Sequence, residues 1–394
     1  MAQVVLGVSG GIAAYKACEL LRLLTESRHS VRVVPTEAAL RFVGAPTWEA
    51  LSHQPVATSV FSEVPEVAHV RLGQNADLVI VAPATADLMA KAAHGQADDL
   101  LTSTLLTARC PVMMAPAMHT EMWEHPATVA NVATLRSRGV LVVEPAVGRL
   151  TGVDTGKGRL PDPPELFWIA QQLLSGAERD LAGRRVVVTA GGTREPLDPV
   201  RYLGNRSSGK QGYAFARTAI ARGAQVTLIA ANVSLPDPAG ADLVRVETTE
   251  QLRQATIQAA KGADVIVMAA APADFRPTTM AEHKIKKRGD GTAPTIELTT
   301  TPDIAAELGA TKAPGQVLVA FAAETQKALE HAREKLVKKN ADLIVVNDVG
   351  TGLVFGSDGN EATVLGADGS RTAYPRQSKE SLANAVWDRV IELL

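Results

Sequence analysis

The sequence predicts an α/β protein built from two doubly wound parallel-sheet domains. Two observations carry that prediction. Short, continuous apolar runs alternate with helical stretches along the whole chain, as strands do when helices cover both faces of a parallel sheet. Twice, such a run ends in a glycine-rich turn that opens a helix: VVLGVSGGIAAYK (Val4–Lys16) and RRVVVTAGGTREPLDPVRYLGNRSSGKQG (Arg184–Gly212). Glycines let a backbone come close to a ligand, and the N–H groups that start the next helix face an anion. Two such openings in 394 residues predict two nucleotide-handling domains.

In the first half the expected strands are Val4–Val8, Val31–Val34, Leu78–Ala82, Val112–Met114 and Val140–Val143. Ala/Leu-spaced helices are expected at Ala13–Leu24, Ala86–Ala93 and Leu100–Thr107. Gly148–Pro164 breaks the pattern, and a helix with Leu166, Ile169, Leu173 and Leu174 on one face closes a domain of residues 1–176. The polar stretch 177–183 reads as a linker. In the second half, residues 184–394, strands are expected at Arg185–Thr189, Gln225–Ala230, Val265–Ala269, Val317–Phe321 and Leu343–Val346. Helices at Tyr213–Arg222, Glu250–Lys261 and Glu324–Lys339 alternate with them. Thr363–Leu365 and Arg371–Tyr374 flank Asp368-Gly369, a hairpin signal that adds an antiparallel edge to a Rossmann-like sheet.

Composition excludes several classes. With 40 Lys+Arg against 42 Asp+Glu the net charge is −2, so nothing advertises nucleic acid. Two cysteines make no disulfide framework and point to a reducing compartment. The N-terminus has no basic n-region, and no apolar run approaches the ~18 residues of a membrane span. A cytoplasmic protein without membrane association is expected.

The first glycine turn lacks a dehydrogenase's acidic partner: Val31–Val34 runs into Pro35-Thr36, where a hydroxyl suits a phosphate oxygen. The turn alone is equally consistent with helix–sheet packing. APATADL (Ala82–Leu88) and MAPAMHTEMW (Met114–Trp123) follow two further strands, with prolines and small residues that admit a flat ring and Thr85 for its polar edge. His119, His125, Glu121 and Glu124 do not have zinc spacing, and the lone His69 in EVAHVRL reads on pattern as a surface helix residue. Taken together, GVSGGIAAYK, His69, PATAD and PAM-x-x-x-MW resemble the flavin-dependent cysteine decarboxylases, over essentially the whole first domain. The resemblance implies a flavodoxin-like fold with FMN held by Gly10, Gly11, Ile12, Thr36, Pro83, Ala84, Thr85, Met114 and Ala115. It implies decarboxylation of 4′-phosphopantothenoylcysteine to 4′-phosphopantetheine, with His69 as base. Two departures stand out: His119 replaces an asparagine that binds the substrate carboxylate, and Gly152 replaces a flap cysteine.

The second turn is not a P-loop, because its glycine spacing differs and Gln211 follows Lys210. AGGTREPLDPVRYLGNRSSGKQG, AAAPADF (Ala269–Phe275), KIKKR (Lys284–Arg288), TPDI and AFAAET resemble the bacterial phosphopantothenate–cysteine ligases from Arg184 to the C-terminus. A decarboxylase followed by this ligase is the order of the bifunctional Dfp/CoaBC family. The resemblance implies that CTP activates the carboxylate of 4′-phosphopantothenate as an acyl-cytidylate, with Mg2+ or Mn2+, before the cysteine amine displaces CMP. Lys284 would grip the triphosphate and Asn205 the acyl carbonyl. Ala270 and Asp274 would line the cytidine pocket, and Pro302, Asp303, Ile304 and Ala305 would offer backbone groups. Phe321 would pack on the nucleotide, and Lys335 and Lys339 would share a helix face near it. A homo-oligomer of ligase dimers and decarboxylase trimers, together a dodecamer, is implied as well. A nicotinamide-dependent reductase and a non-catalytic flavin-binding regulator are the competing classes.

Overall fold

The computed structural model describes residues 1–56, 68–150, 154–176, 178–286, 295–324, 328–348 and 359–394. The chain forms two compact units, Met1–Arg179 and Asp180–Leu394.

In the first unit, β1 (Gln3–Val8), β2 (Ser30–Pro35), β3 (Leu78–Ala84), β4 (Val112–Pro116) and β5 (Leu141–Val142) form a parallel sheet ordered β2-β1-β3-β4-β5. That is the flavodoxin-like order, whose direction reverses between β1 and β3. The strands are apolar throughout because helices cover both faces: all seven residues of β3 are buried. Leu20, Leu21 and Leu24 of the helix Ala14–Glu26 are fully buried, and Leu88, Met89 and Leu101 join a core cluster with Val79, Val81 and Met114. A hairpin, β6 (Ala146–Arg149) with β7 (Thr155–Arg159), then precedes the closing helix Pro163–Leu174. The expected break at 148–164 is therefore partly an ordered antiparallel pair; its glycine-rich strands hide the alternation that marks a strand.

The second unit adds β8 (Arg185–Gly191), the pair β9 (Arg194–Pro196) and β10 (Tyr202–Gly204), β11 (Gln225–Ala231), β12 (Ala241–Val246) and β13 (Val265–Met268). The pair β14 (Phe275–Pro277) and β15 (Leu298–Thr300) follows, then β16 (Val317–Glu324), β17 (Leu343–Asp348), β18 (Gly359–Gly366) and β19 (Arg371–Ser378). The main sheet has eight strands in the order β12-β11-β8-β13-β16-β17-β18-β19. Numbered within this sheet, the six parallel strands run 3-2-1-4-5-6, the Rossmann order, and β18-β19 supply the antiparallel edge. The sheet reverses between β8 and β13. Strand β16 runs to Glu324, so the helix expected from Glu324 begins instead at Ala328 among the described residues. The helix expected at Tyr213 starts at Lys210, because Gly209 in the left-handed region (φ 77°) supplies its N-cap.

The residues around the linker are packed. Arg179 donates to the Gly139 carbonyl, while the fully buried Leu181 donates its N–H to Arg222 O at 3.1 Å. No helix among the described residues is long and apolar enough to cross a membrane.

Candidate active sites

The first candidate site lies at the C-terminal ends of β1 and β3, where the sheet order reverses. Ser9, at the end of β1, ties the two together: its Oγ donates to Pro83 O (2.8 Å) and accepts the Thr85 N–H (2.9 Å). Ser9 is 2% exposed and was not singled out from the sequence, because a serine in a glycine turn carries no signal of its own. Beyond it the two glycines differ. A Cβ on Gly10 would collide with Ala38, whereas one on Gly11 would meet only Thr85 Cγ2 at 3.7 Å. Close packing therefore requires the first glycine, whereas a Cβ at the second would make an ordinary van der Waals contact. Thr36 Oγ1 accepts the Ala39 N–H at 3.2 Å, and Thr85 Oγ1 the Leu88 N–H at 3.4 Å, so both hydroxyls cap helices at this edge. Ile12 and Tyr15 are exposed beside them.

Pro83, Ala84, Met114 and Ala115 lie at the ends of β3 and β4. All four are buried, and the carbonyls of Pro83, Ala84 and Met114 already accept the N–H groups of Ser9, Ala117 and Val143. His119 is exposed at the N-cap of the short helix Thr120–Trp123, and its carbonyl accepts from Met122 and Trp123. The β6–β7 hairpin packs on this segment: Gly158 O accepts the Met118 N–H at 3.0 Å, and Cβ atoms on Gly156 or Gly158 would strike Thr120 Oγ1 or Met118 O. Gly152 lies outside the described residues. His69 stands apart. Its carbonyl accepts Thr107 Oγ1 (2.8 Å) at the end of the helix that leads down to β4, its Nδ1 is buried without a partner, and no described contact joins it to the glycine turn.

The second cleft lies at the C-terminal ends of β13 and β16. Ala270, Asp274, Pro302 and Asp303 line it with Ile304 and Ala305, the first residues of the helix Ile304–Thr311. Phe321 and Lys339 complete the wall. First-turn N–H groups have no carbonyl to take within the helix; Asp303 Oδ1 caps the Ala306 N–H at 3.2 Å, and Ile304 and Ala305 stand at the cleft wall ahead of it. Phe321 is held edge-on by Phe215, with centroids 5.5 Å apart, and Phe215 in turn by Trp387. Lys339 Nζ bonds Asp303 Oδ1 at 2.9 Å. Burial pushes the Asp303 carboxyl up, but Lys339 and the Ala306 N–H outweigh it and hold it below its usual range.

Asn205 reaches the lip of this cleft by donating Nδ2–H to Pro272 O at 2.8 Å. Gly192 makes the approach possible, since a Cβ there would stand 2.8 Å from Asn205 O. Behind the lip a buried polar chain fixes Ala273: its N–H donates to Thr193 Oγ1 (2.8 Å), which meets Thr249 Oγ1 (2.9 Å), and Thr249 donates to Glu195 (2.7 Å). Two predicted residues lie outside the cleft wall. Lys335 is half-buried one turn before Lys339, and Lys284 is exposed on the loop after β14, whose continuation as Lys287 and Arg288 falls outside the described residues. Among the described residues no group of three or more His, Cys, Asp or Glu forms a metal site.

Both parts of the chain match known protein families. Residues 1–175 match the Flavoprotein family, and residues 181–394 match the DNA/pantothenate metabolism flavoprotein C-terminal domain. The coenzyme A biosynthesis bifunctional protein CoaBC of Bacillus subtilis is 44% identical over 99% of this chain and 97% of its own. A crystal structure of the C-terminal domain of a CoaBC protein, 36% identical, covers 55% of this chain and 98% of its own with a TM-score of 0.47. CoaBC of Mycobacterium tuberculosis is 58% identical over 100% of this chain and 97% of its own length, and the chain belongs to the family of the coenzyme A biosynthesis bifunctional protein CoaBC.

Proposed function

We propose that the two clefts carry two consecutive reactions of coenzyme A biosynthesis: ligation of cysteine to 4′-phosphopantothenate in the second unit, then decarboxylation of the product in the first. The observation that carries this reading is the second cleft. Segments far apart in sequence, around 270–274, 301–305, 321 and 339, meet outside the carboxyl ends of β13 and β16, beside the point where the Rossmann sheet reverses. Ligands of such sheets bind there.

In the ligation, CTP stacks against Phe321 and takes the N–H groups that open the Ile304–Thr311 helix. A carboxylate oxygen of 4′-phosphopantothenate attacks the α-phosphorus, and the P–O bond to pyrophosphate breaks. Lys284 stabilises that leaving group, and a divalent ion such as Mg2+ or Mn2+ would supply further charge to the departing pyrophosphate. The amine nitrogen of cysteine then attacks the acyl carbon, the C–O bond to CMP breaks, and the nitrogen gives up a proton. Asn205 spends one Nδ2 hydrogen on Pro272 O and keeps a second for the acyl oxygen.

The residues at this edge of the first sheet fit FMN: a glycine turn whose second position is not closely packed, and helix starts after Thr36 and Thr85. Bound there, FMN would supply two-electron redox chemistry at the sulfur-bearing carbon. The backbone at Gly10, Gly11 and Ile12 and the Thr36 hydroxyl would hold its phosphate. His119 would offer an imidazole N–H to the substrate carboxylate. His69 is retained as the base within a homo-oligomer, where a second copy can present it.

The test is mass spectrometry of products from 4′-phosphopantothenate, cysteine, CTP and a divalent ion. Equal CMP and 4′-phosphopantetheine are expected. Absence of CMP overturns the ligase reading. Accumulation of phosphopantothenoylcysteine in flavin-loaded protein overturns the decarboxylase reading.

A further inference from the structure

Residues 278–286, which carry Lys284, contain neither helix nor strand. They are nevertheless held at two points, and both holds come from the LDPVR turn of the second motif. The Ala281 N–H donates to Leu197 O at 3.0 Å. At Ile285 both main-chain groups are taken: its N–H donates to Asp198 Oδ2 (3.1 Å), and its carbonyl accepts Arg201 Nη2 (2.5 Å). Arg201 is itself aimed by the same carboxylate, with Nε and Nη2 3.0 and 2.7 Å from Oδ2. Oδ1 does a different job, accepting the Val200 and Arg201 N–H groups at 2.8 Å each and closing the turn.

The Asp198 side chain is 0% exposed. A buried carboxylate is tolerated only when its lone pairs are met, and here donors meet both oxygens. One oxygen builds the turn, and the other fastens a loop 87 residues away, next to the lysine on which the ligation reading depends.

We propose that Asp198 is a positioning residue for the ligation: through Oδ2 and Arg201 it clamps Ile285 and so sets where the Lys284 ammonium stands. This rests on the reading of Lys284 as the triphosphate contact. A cation displaced by about 1 Å from a transferring group loses much of its effect on rate, so the clamp matters although it touches no substrate.

The two oxygens make the idea separable. In Asp198→Asn the carbonyl oxygen can keep the turn, while the amide sets its own hydrogens against Arg201 and the Ile285 N–H. The full-length chain is assayed for CMP release as wild type, D198N, K284Q and the D198N/K284Q double variant. D198N is expected to lower kcat/KM for CTP by roughly tenfold to a hundredfold, with KM for cysteine and decarboxylation of added phosphopantothenoylcysteine unchanged. The double variant is expected to be no worse than K284Q, because the clamp has nothing to position once the ammonium is gone. Wild-type turnover in D198N beside a crippled K284Q overturns the positioning role and leaves the Lys284 reading standing. Losses that multiply in the double variant overturn it too, since Asp198 then acts elsewhere. Full activity in K284Q removes the Lys284 reading, and the clamp's purpose with it. If D198N shows no cooperative unfolding transition, R201Q carries the same comparison, because it keeps Oδ1 in the turn and deletes the bond to Ile285 O.

Discussion

At the scale of single residues, the two glycines of the first turn give opposite predictions from one motif. Gly10→Ala drives a methyl into Ala38 and should cost about 1–3 kcal/mol as overpacking, with the short helix after Thr36 displaced and flavin lost. Gly11→Ala makes only an ordinary contact with Thr85 Cγ2 and should leave stability within about 1 kcal/mol of wild type. Thermal unfolding and the flavin absorbance of purified protein separate the two, and equal flavin loss would show that the site needs both positions bare. Asp198 gives a pH prediction. Burial pushes its carboxyl up, but the N–H groups of Val200, Ile285 and Arg201 and the Arg201 side chain outweigh this and hold it at about 2. The folded value lies below the ~3.9 of an unfolded chain, so the stabilisation is complete above about pH 4 and drains away as pH falls toward about 2. D198N has no proton to take up there, and its unfolding midpoint should fall less steeply with acid than that of wild type. Parallel slopes would mean that the carboxylate is not held in this way in solution.

At the scale of elements, the parallel strands were readable because they are buried on both faces, so composition alone marks them: β8 has six consecutive buried residues after Arg185. The edge strand β12 was missed, since its burial alternates and Asp242 and Arg245 interrupt the apolar run. The β6–β7 hairpin was missed for another reason. Gly156 and Gly158 are there to let the hairpin pass close to Thr120 and Met118, a requirement set by a segment about forty residues earlier and invisible locally. In the second cleft the motifs around Ala270, Pro302 and Phe321 were legible, whereas Asp198 was not, because its partner Ile285 lies far along the chain. The hairpin carries a prediction of its own. Gly158→Ala pushes it off the segment before His119 and should lower kcat/KM for decarboxylation by roughly tenfold or more, with CMP release unchanged. Unchanged decarboxylation would mean that the hairpin's seat on Met118 plays no part in that reaction.

At the scale of the whole molecule, each compact unit has its own core, its own sheet and its own switch point. No residue in either proposed site is borrowed from the other unit, so the two activities should be removable one at a time. Lys284→Gln should abolish CMP release and spare decarboxylation of added phosphopantothenoylcysteine. His119→Ala should do the reverse, with phosphopantothenoylcysteine accumulating. The sharper consequence comes from mixing the two variants. The intermediate is a small, charged, soluble molecule, and nothing in the chemistry of either cleft requires it to stay bound between reactions. K284Q and H119A protein combined in one vessel should therefore restore 4′-phosphopantetheine formation from 4′-phosphopantothenate, cysteine and CTP. The restored reaction should show a lag while the intermediate builds up in solution, and the lag should shorten as total protein is raised. A mixture that releases CMP yet never yields 4′-phosphopantetheine, although each variant performs its remaining half-reaction alone, would show that the intermediate must pass directly within one molecule, and the independence of the two units would fall.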